Sequence, residues 1–129
     1  MTGSTATTRG ITVSVKPRYL PEKSQPHLGR WLFAYQIRIS NRGAETVQLL
    51  TRHWIITDAS GRVEEVRGAG VVGQQPILEP GQSHEYTSFC PLSTPFGTME
   101  GHYQMTTATG EQFDVEIARF ELSQPMAVN

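Results

Sequence analysis

Three features of this 129-residue sequence predict an all-β chain folded as an antiparallel sandwich of about seven or eight strands. Apolar residues recur at every second position, Gly- and Pro-rich turns interrupt them at short intervals, and no segment carries helical apolar spacing. Strands that alternate in this way bury one face and leave the other to water, so two such sheets packed face to face complete a core. A closed barrel is the alternative arrangement of the same strands.

Residues 1–9, rich in Thr, Ser and Ala, offer too little apolar surface to offset the entropy of ordering them, and a loose tail is expected there. Ile11, Val13 and Val15 alternate with Thr12, Ser14 and Lys16 as a first half-buried strand. Trp31, Phe33, Tyr35, Ile37 and Ile39 form the clearest alternation. Asn41-Arg42-Gly43 ends it, because Asn and Gly accept the positive φ of a turn. Segment 47–57 is apolar on both parities, with Leu49 and Ile55 set against Leu50, Trp54 and Ile56. A strand covered on both faces, a bulged strand and a helix all fit that pattern; the β-branched and aromatic content favours a strand. Ser60-Gly61 then turns the chain into a strand over 62–67. Further strands fit 85–89, 98–107 and 112–117, with Thr109-Gly110 turning between the last two. Phe120 and Leu122 extend the final strand or add a short one. In Leu78-Glu79-Pro80-Gly81-Gln82, Pro followed by Gly gives a type II turn. One domain over 10–123 results, with 124–129 expected to fray.

Composition narrows the function. Apolar residues make up 37% and charged residues 18%, and a net charge of −1 supplies no broad field for nucleic acid or anionic membrane. Neither is expected as a partner. The single cysteine, Cys90, cannot form an internal disulfide, so a reducing cytoplasm suits the chain. The N-terminus lacks the pattern of a signal peptide, and no apolar run approaches the roughly 20 residues that span a bilayer.

Gly68-Ala69-Gly70-Val71-Val72-Gly73 spells GxGxxG. A dinucleotide site would need a strand before it, a helix after it and an acidic residue about 20 positions on. Val71-Val72 opens a helix poorly and Pro76 interrupts soon after, so that reading fails. Two readings stay open. Backbone N–H groups of Gly68, Gly70 and Gly73 could converge on an anion beside Arg67, with Arg52 or Arg62 neutralising charge. Alternatively the glycines serve bulges or a sharp crossover while Val71 and Val72 pack inside.

Other chemistry is sparse. His27, His53, His84 and His102 form no metal-ligand spacing, although a sandwich could bring His84 near His102. No metal site, cofactor or catalytic group is assigned. Cys90 lacks a local nucleophile signature, and Glu64 and Glu65, adjacent on a strand, point to opposite faces. The connection holding Pro91, Leu92, Pro95, Phe96 and Met99 is unusually apolar. It either caps the core or presents a partner-binding patch. An edge strand offers a second route to a partner or to weak self-association, with the monomer as the other outcome.

Arg52-His53-Trp54-Ile55-Ile56-Thr57-Asp58, Val63-Glu64-Glu65-Val66, Gly70 through Pro76, Tyr86-Thr87-Ser88, Cys90-Pro91-Leu92 and Gly97 through Met105 resemble, in order, the signatures of the bacterial ApaG family. The likeness runs from about Val13 to Phe120. It implies an immunoglobulin-like or fibronectin type III-like sandwich without enzymatic activity, associated with cobalt resistance and magnesium efflux and acting through an unidentified protein partner. The family's gene neighbourhood, beside a diadenosine tetraphosphate hydrolase, implies a pyrophosphate-containing nucleotide as the alternative ligand. Ala69 stands where the family tends to carry Glu, removing a carboxylate, and Phe89 stands where glycine is often seen.

Overall fold

The computed structural model describes residues 3–125. Among these residues nine strands form two antiparallel sheets. They are β1 (Ser4–Thr8), β2 (Ile11–Tyr19), β3 (Trp31–Asn41), β4 (Val47–Asp58), β5 (Val63–Ala69), β6 (Ile77–Leu78), β7 (Ser83–Leu92), β8 (Phe96–Thr107) and β9 (Gln112–Ser123). One sheet runs β1-β2-β3-β7; the other runs β5-β4-β8-β9, with β6 paired to β4 beyond the end of β5. The sheets enclose a core of Ile11, Val13, Phe33, Ile37 and Ile39 from the first and Leu49, Trp54, Met99, Tyr103 and Met105 from the second. Open sheets, not a closed barrel, are what the chain builds.

The double parity of 47–57 comes from a bulge. Leu49 pairs with Met105 but Thr51 pairs with Gln104, so Leu50 is an extra residue. The slip turns both Leu49 and Trp54 inward, to 1% and 3% exposure. A second slip does the same in β9. Met99 faces Phe120 while Gly101 faces Ile117, leaving Ala118 and Arg119 opposite Glu100 alone. Val115 and Ile117 before it, and Phe120 and Leu122 after it, therefore all point into the core. Phe120 and Leu122 extend the last strand. Trp54 then packs edge-on against Phe120 and Tyr35, at centroid separations of 5.9 and 5.4 Å.

The expected loose N-terminal tail is instead largely ordered. Ser4–Thr8 pairs along Ile11 to Val15, and Arg9-Gly10 makes the two-residue turn, at φ of 50° and 80°. Ordering here rests on backbone and hydroxyl groups: Ser4 Oγ donates to the Ala118 carbonyl at 2.7 Å, and Thr8 Oγ1 accepts from Glu116 N at 3.1 Å. These bonds lay β1 beside β9 and seal one flank of the sandwich. At the C-terminus, Gln124 is likewise held, accepting from Trp31 Nε1 and donating its N–H to the Pro95 carbonyl, both at 2.9 Å. Pro125 is exposed, and 126–129 of the expected frayed end lie outside the described residues.

Asn41 ties three segments together from a buried position. Its Nδ2 donates to the carbonyls of Glu45 at 2.7 Å and Leu78 at 2.9 Å, and its Oδ1 accepts from Gly43 N at 3.0 Å. Removing it takes a donor from the buried Leu78 carbonyl and the part-buried Glu45 carbonyl. Asn41→Ala should therefore lose about 2–3 kcal/mol of stability, measured as a fall in the urea midpoint at constant slope.

Candidate functional site

The glycine motif lies where the chain leaves the β4 edge and returns to it. β5 pairs with β4 as far as Ala69, and β6 resumes the pairing at Ile77. Between them the chain makes a small excursion that drives Val71 into the core at 1% exposure, at the level of the Leu50 bulge. Gly70 N donates to the Leu50 carbonyl at 2.9 Å, and Val71 N donates to the Gln74 carbonyl at 2.8 Å. Val72 and Gly73 turn between Val71 and Gln74 with φ of 46° and 77°, a mirror-image hairpin turn. A β-carbon on Gly70 would stand 2.4 Å from the Gln74 carbonyl. Val71 packs inside as expected, whereas Val72 points out and is 65% exposed.

Arg52 occupies the place where an anion would sit. Its Nη1 donates to the carbonyls of Ala69 at 2.9 Å and Gly70 at 3.0 Å, so carbonyl oxygens, and not only N–H groups, face the nearest guanidinium. Gly68 is bare to admit it: a β-carbon there would lie 2.8 Å from the guanidinium nitrogens. Arg67 projects from the opposite face of β5, with Nη2 at 3.8 Å from Glu65. The four predicted anion residues are thus divided between two faces.

Beneath Arg52 lie three tyrosines. The hydroxyls of Tyr86 and Tyr103 share a hydrogen bond. Burial pushes Tyr35, Tyr86 and Tyr103 all above the ordinary phenol range. Cys90 is buried beside them, and burial, with Glu64 adding to it, pushes its thiol up to about 12. A protonated, enclosed thiol behaves as a small apolar side chain. The cleft between β5 and β7, about 260 Å³ and lined by Tyr35, Trp54, Val66 and Phe89, is the unsealed flank of the sandwich.

Glu64 and Glu65 separate as expected, Glu64 lining that cleft and Glu65 facing the opposite side. On that outer face, sequence spacing missed a pair of histidines. His53 and His102 are direct cross-strand partners, rings edge to face with centroids 5.0 Å apart. His53 Nε2 lies 3.0 Å from Glu65 and His102 Nε2 lies 3.9 Å from Asp114. His84 sits in the other sheet, against Tyr86. Among the described residues no three His, Cys, Asp or Glu side chains are grouped to hold a metal ion. Only the strand register reveals the His53–His102 neighbourhood.

The apolar connection divides in two. Leu92 and Met99 are buried at 7% and 1% exposure, and they cap the core. Pro91, Pro95 and Phe96 face water, with Phe96 54% exposed. Thr94 fixes the turn by donating Oγ1 to the Phe96 carbonyl at 2.7 Å and accepting from Ala59 N at 3.1 Å. Pro95, Phe96 and Thr98, with Glu121, Gln124 and Pro125, line a groove of about 660 Å³. Gly97, which also lines it, lies so near β4 that a β-carbon there would meet the Thr57 carbonyl at 2.6 Å.

Two antiparallel sheets face to face, a core at their centre and surface features on loops and edges define an immunoglobulin-like or fibronectin type III-like β-sandwich. Residues 21–107 match the ApaG domain, and the chain belongs to the ApaG family. It is 58% identical over 120 residues to Protein ApaG of Bradyrhizobium sp. (strain ORS 278), covering 93% of this chain and 92% of that protein. Identity to Protein ApaG of Rhodospirillum centenum is 58% over 118 residues, covering 92% and 91%. A crystal structure of a Bordetella pertussis protein named ApaA is similar at 55% identity and a TM-score of 0.88, covering 91% of this chain and 95% of that one. None of these names specifies a reaction. No helix among the described residues is long and apolar enough to cross a membrane.

Two outcomes follow from the site. Val72, β-branched yet held at φ 46°, is strained. Val72→Asn should raise stability by about 1 kcal/mol in urea unfolding. Cys90 is protonated in the fold but ionises near its ordinary value of 9 when unfolded, so stability is whole below pH 9 and declines as pH climbs towards 12. Cys90→Ala should show a shallower decline as pH passes 9, whereas nearer pH 10, where unfolded tyrosines ionise, Tyr35, Tyr86 and Tyr103 steepen the decline of both proteins.

Proposed function

We propose that the protein is a non-enzymatic binding module of the ApaG type, working in the cytoplasm and recognising a protein partner through the groove at Phe96. The single observation that carries this reading is an aromatic side chain left 54% exposed on backbone pinned by Thr94 Oγ1 at the Phe96 carbonyl and by Gln124 N–H at the Pro95 carbonyl. Large exposed aromatics on rigid supports act as anchors, because little conformational entropy is lost when they are buried. Pro91 and Pro95 add apolar surface that is already stiff. The raised Cys90 thiol and the absence of a local nucleophile constellation support the non-enzymatic half of the proposal. The lone cysteine, which needs no oxidising compartment, supports the location.

Any influence on cobalt resistance or magnesium efflux is then exerted through the bound protein and not by a metal held on this chain. A pyrophosphate-containing nucleotide at the glycine loop draws little support from its geometry: Gly70 and Val71 N–H groups are engaged, and Arg52 is occupied by the loop's own carbonyls.

Phe96→Ser removes the anchor without touching the core. It should leave the melting temperature within about 2 °C while abolishing retention of a partner that wild type captures from cell extract. Ile77→Ser, at an equally exposed apolar site on β6, should retain it. Retention of every partner by Phe96→Ser would overturn the groove as the recognition surface.

A further inference from the structure

One flank of the sandwich is sealed by β1 against β9, but among the described residues no strand pairs with the outer edge of β5, which carries neither Pro nor Lys nor a bulge and is marked instead by the charges of Glu64, Glu65 and Arg67. Gly70 N donates to Leu50 and Asp58 N donates to the Arg62 carbonyl, which fixes the ladder phase: even-numbered residues of β5 bond to β4. Val63, Glu65, Arg67 and Ala69 therefore turn their N–H and C=O groups to the open edge. We propose that this edge pairs antiparallel with β5 of a second copy of this chain, about a two-fold axis through Val66, joining two sheets into one.

Charge selects that occupant and that register. With Val66 opposite itself, Glu65 stands opposite Arg67 of the second copy and Arg67 opposite its Glu65. These are the odd-numbered residues whose backbone groups are free to exchange bonds. Both pairs lie on the outer face, where Glu65 and Arg67 of one chain are 3.8 Å apart and more than half exposed. On the inner face, the same register sets Glu64 opposite Gly68 of the second copy, and Gly68 is the residue over which Arg52 lies. The two outer-face pairs are equivalent by the two-fold, and on the inner face Glu64 meets no like charge. Neighbouring registers are repulsive: centring on Glu64, Glu65 or Arg67 places that charge against its own copy. The strand is short, so the association is weak and salt-sensitive. It is independent of the Phe96 groove, which lies at β8 and β9, and either can fail without the other.

Sedimentation velocity of the full chain from about 10 µM to about 1 mM at low salt should show a monomer–dimer equilibrium that weakens as salt is added. Glu65→Arg alone and Arg67→Glu alone each create like-charge pairs and should weaken self-association by about tenfold or more. Mixed in equal amounts, the two variants become complementary and should form a heterodimer at wild-type strength. Val66→Cys, at the non-hydrogen-bonded centre of the two-fold, should cross-link on mild oxidation, whereas Thr87→Cys on the β7 edge should not. A wild-type monomer throughout the concentration range, a dimer unaffected by either charge reversal, or single variants that stay apart when mixed would each overturn the proposal.

Discussion

Everything inside this sandwich depends on two slips of the pleat. A strand presents side chains to alternate faces, so a strand of 12 residues with a fixed phase can cover a core only where the sequence keeps one parity. Neither β4 nor β9 keeps it. Leu50 resets the phase in β4 and Ala118-Arg119 resets it in β9, and these resets bring Leu49, Trp54, Val115, Ile117, Phe120 and Leu122 to the same interior. Without the first, Trp54 would face water and the edge-on packing with Tyr35 and Phe120 would be lost. Bulges also add twist, which lets strands of this length wrap a small core.

The Leu50 slip explains the glycine motif as well. Where the β4 ladder is interrupted, the β5 edge cannot run straight into β6, and the chain makes its excursion through Val71 and back. Gly70 admits the Gln74 carbonyl, Gly68 admits the Arg52 guanidinium, and Gly73 completes a turn of positive φ. Arg52 then closes the structure by donating to two loop carbonyls above the buried Tyr35 and Tyr103 and the partly buried Tyr86. A pattern that on a strand-to-helix turn would cradle phosphate is here a device for close backbone approach, because no helix follows to aim N–H groups outward.

With the interior so committed, the chemistry left for function lies at the surface. Enclosed groups such as Cys90 and Tyr103 are held in their neutral forms, and the exposed ones are apolar anchors, edge-strand backbone and paired charges. The proposed recognition role draws on that distribution. Phe96 and the β5 edge are two places where rigid backbone meets unburied binding capacity.

Much of the fold was legible in the residues alone. Alternation over 31–39 marked β3, Asn41 marked its end, Ser60-Gly61 and Pro80-Gly81 marked turns, and Val71 was readable as core, because each rests on local backbone preference or a local apolar period. The order of β1 was not legible, since hydroxyl and backbone bonds to β9, more than a hundred residues away, supply what apolar content lacks. Nor was the split of the apolar connection: Leu92 and Met99 differ from Phe96 only in which face the sheets enclose. The His53–His102 pair and the fate of Arg67 depend on which strands adjoin and in what register. The amino-acid order by itself determines which residues share a face within an unbroken strand and where the chain can turn; tertiary structure alone decides where a bulge resets the face, which face is inward and which strands meet, because long-range pairing and bulges leave no local period to read.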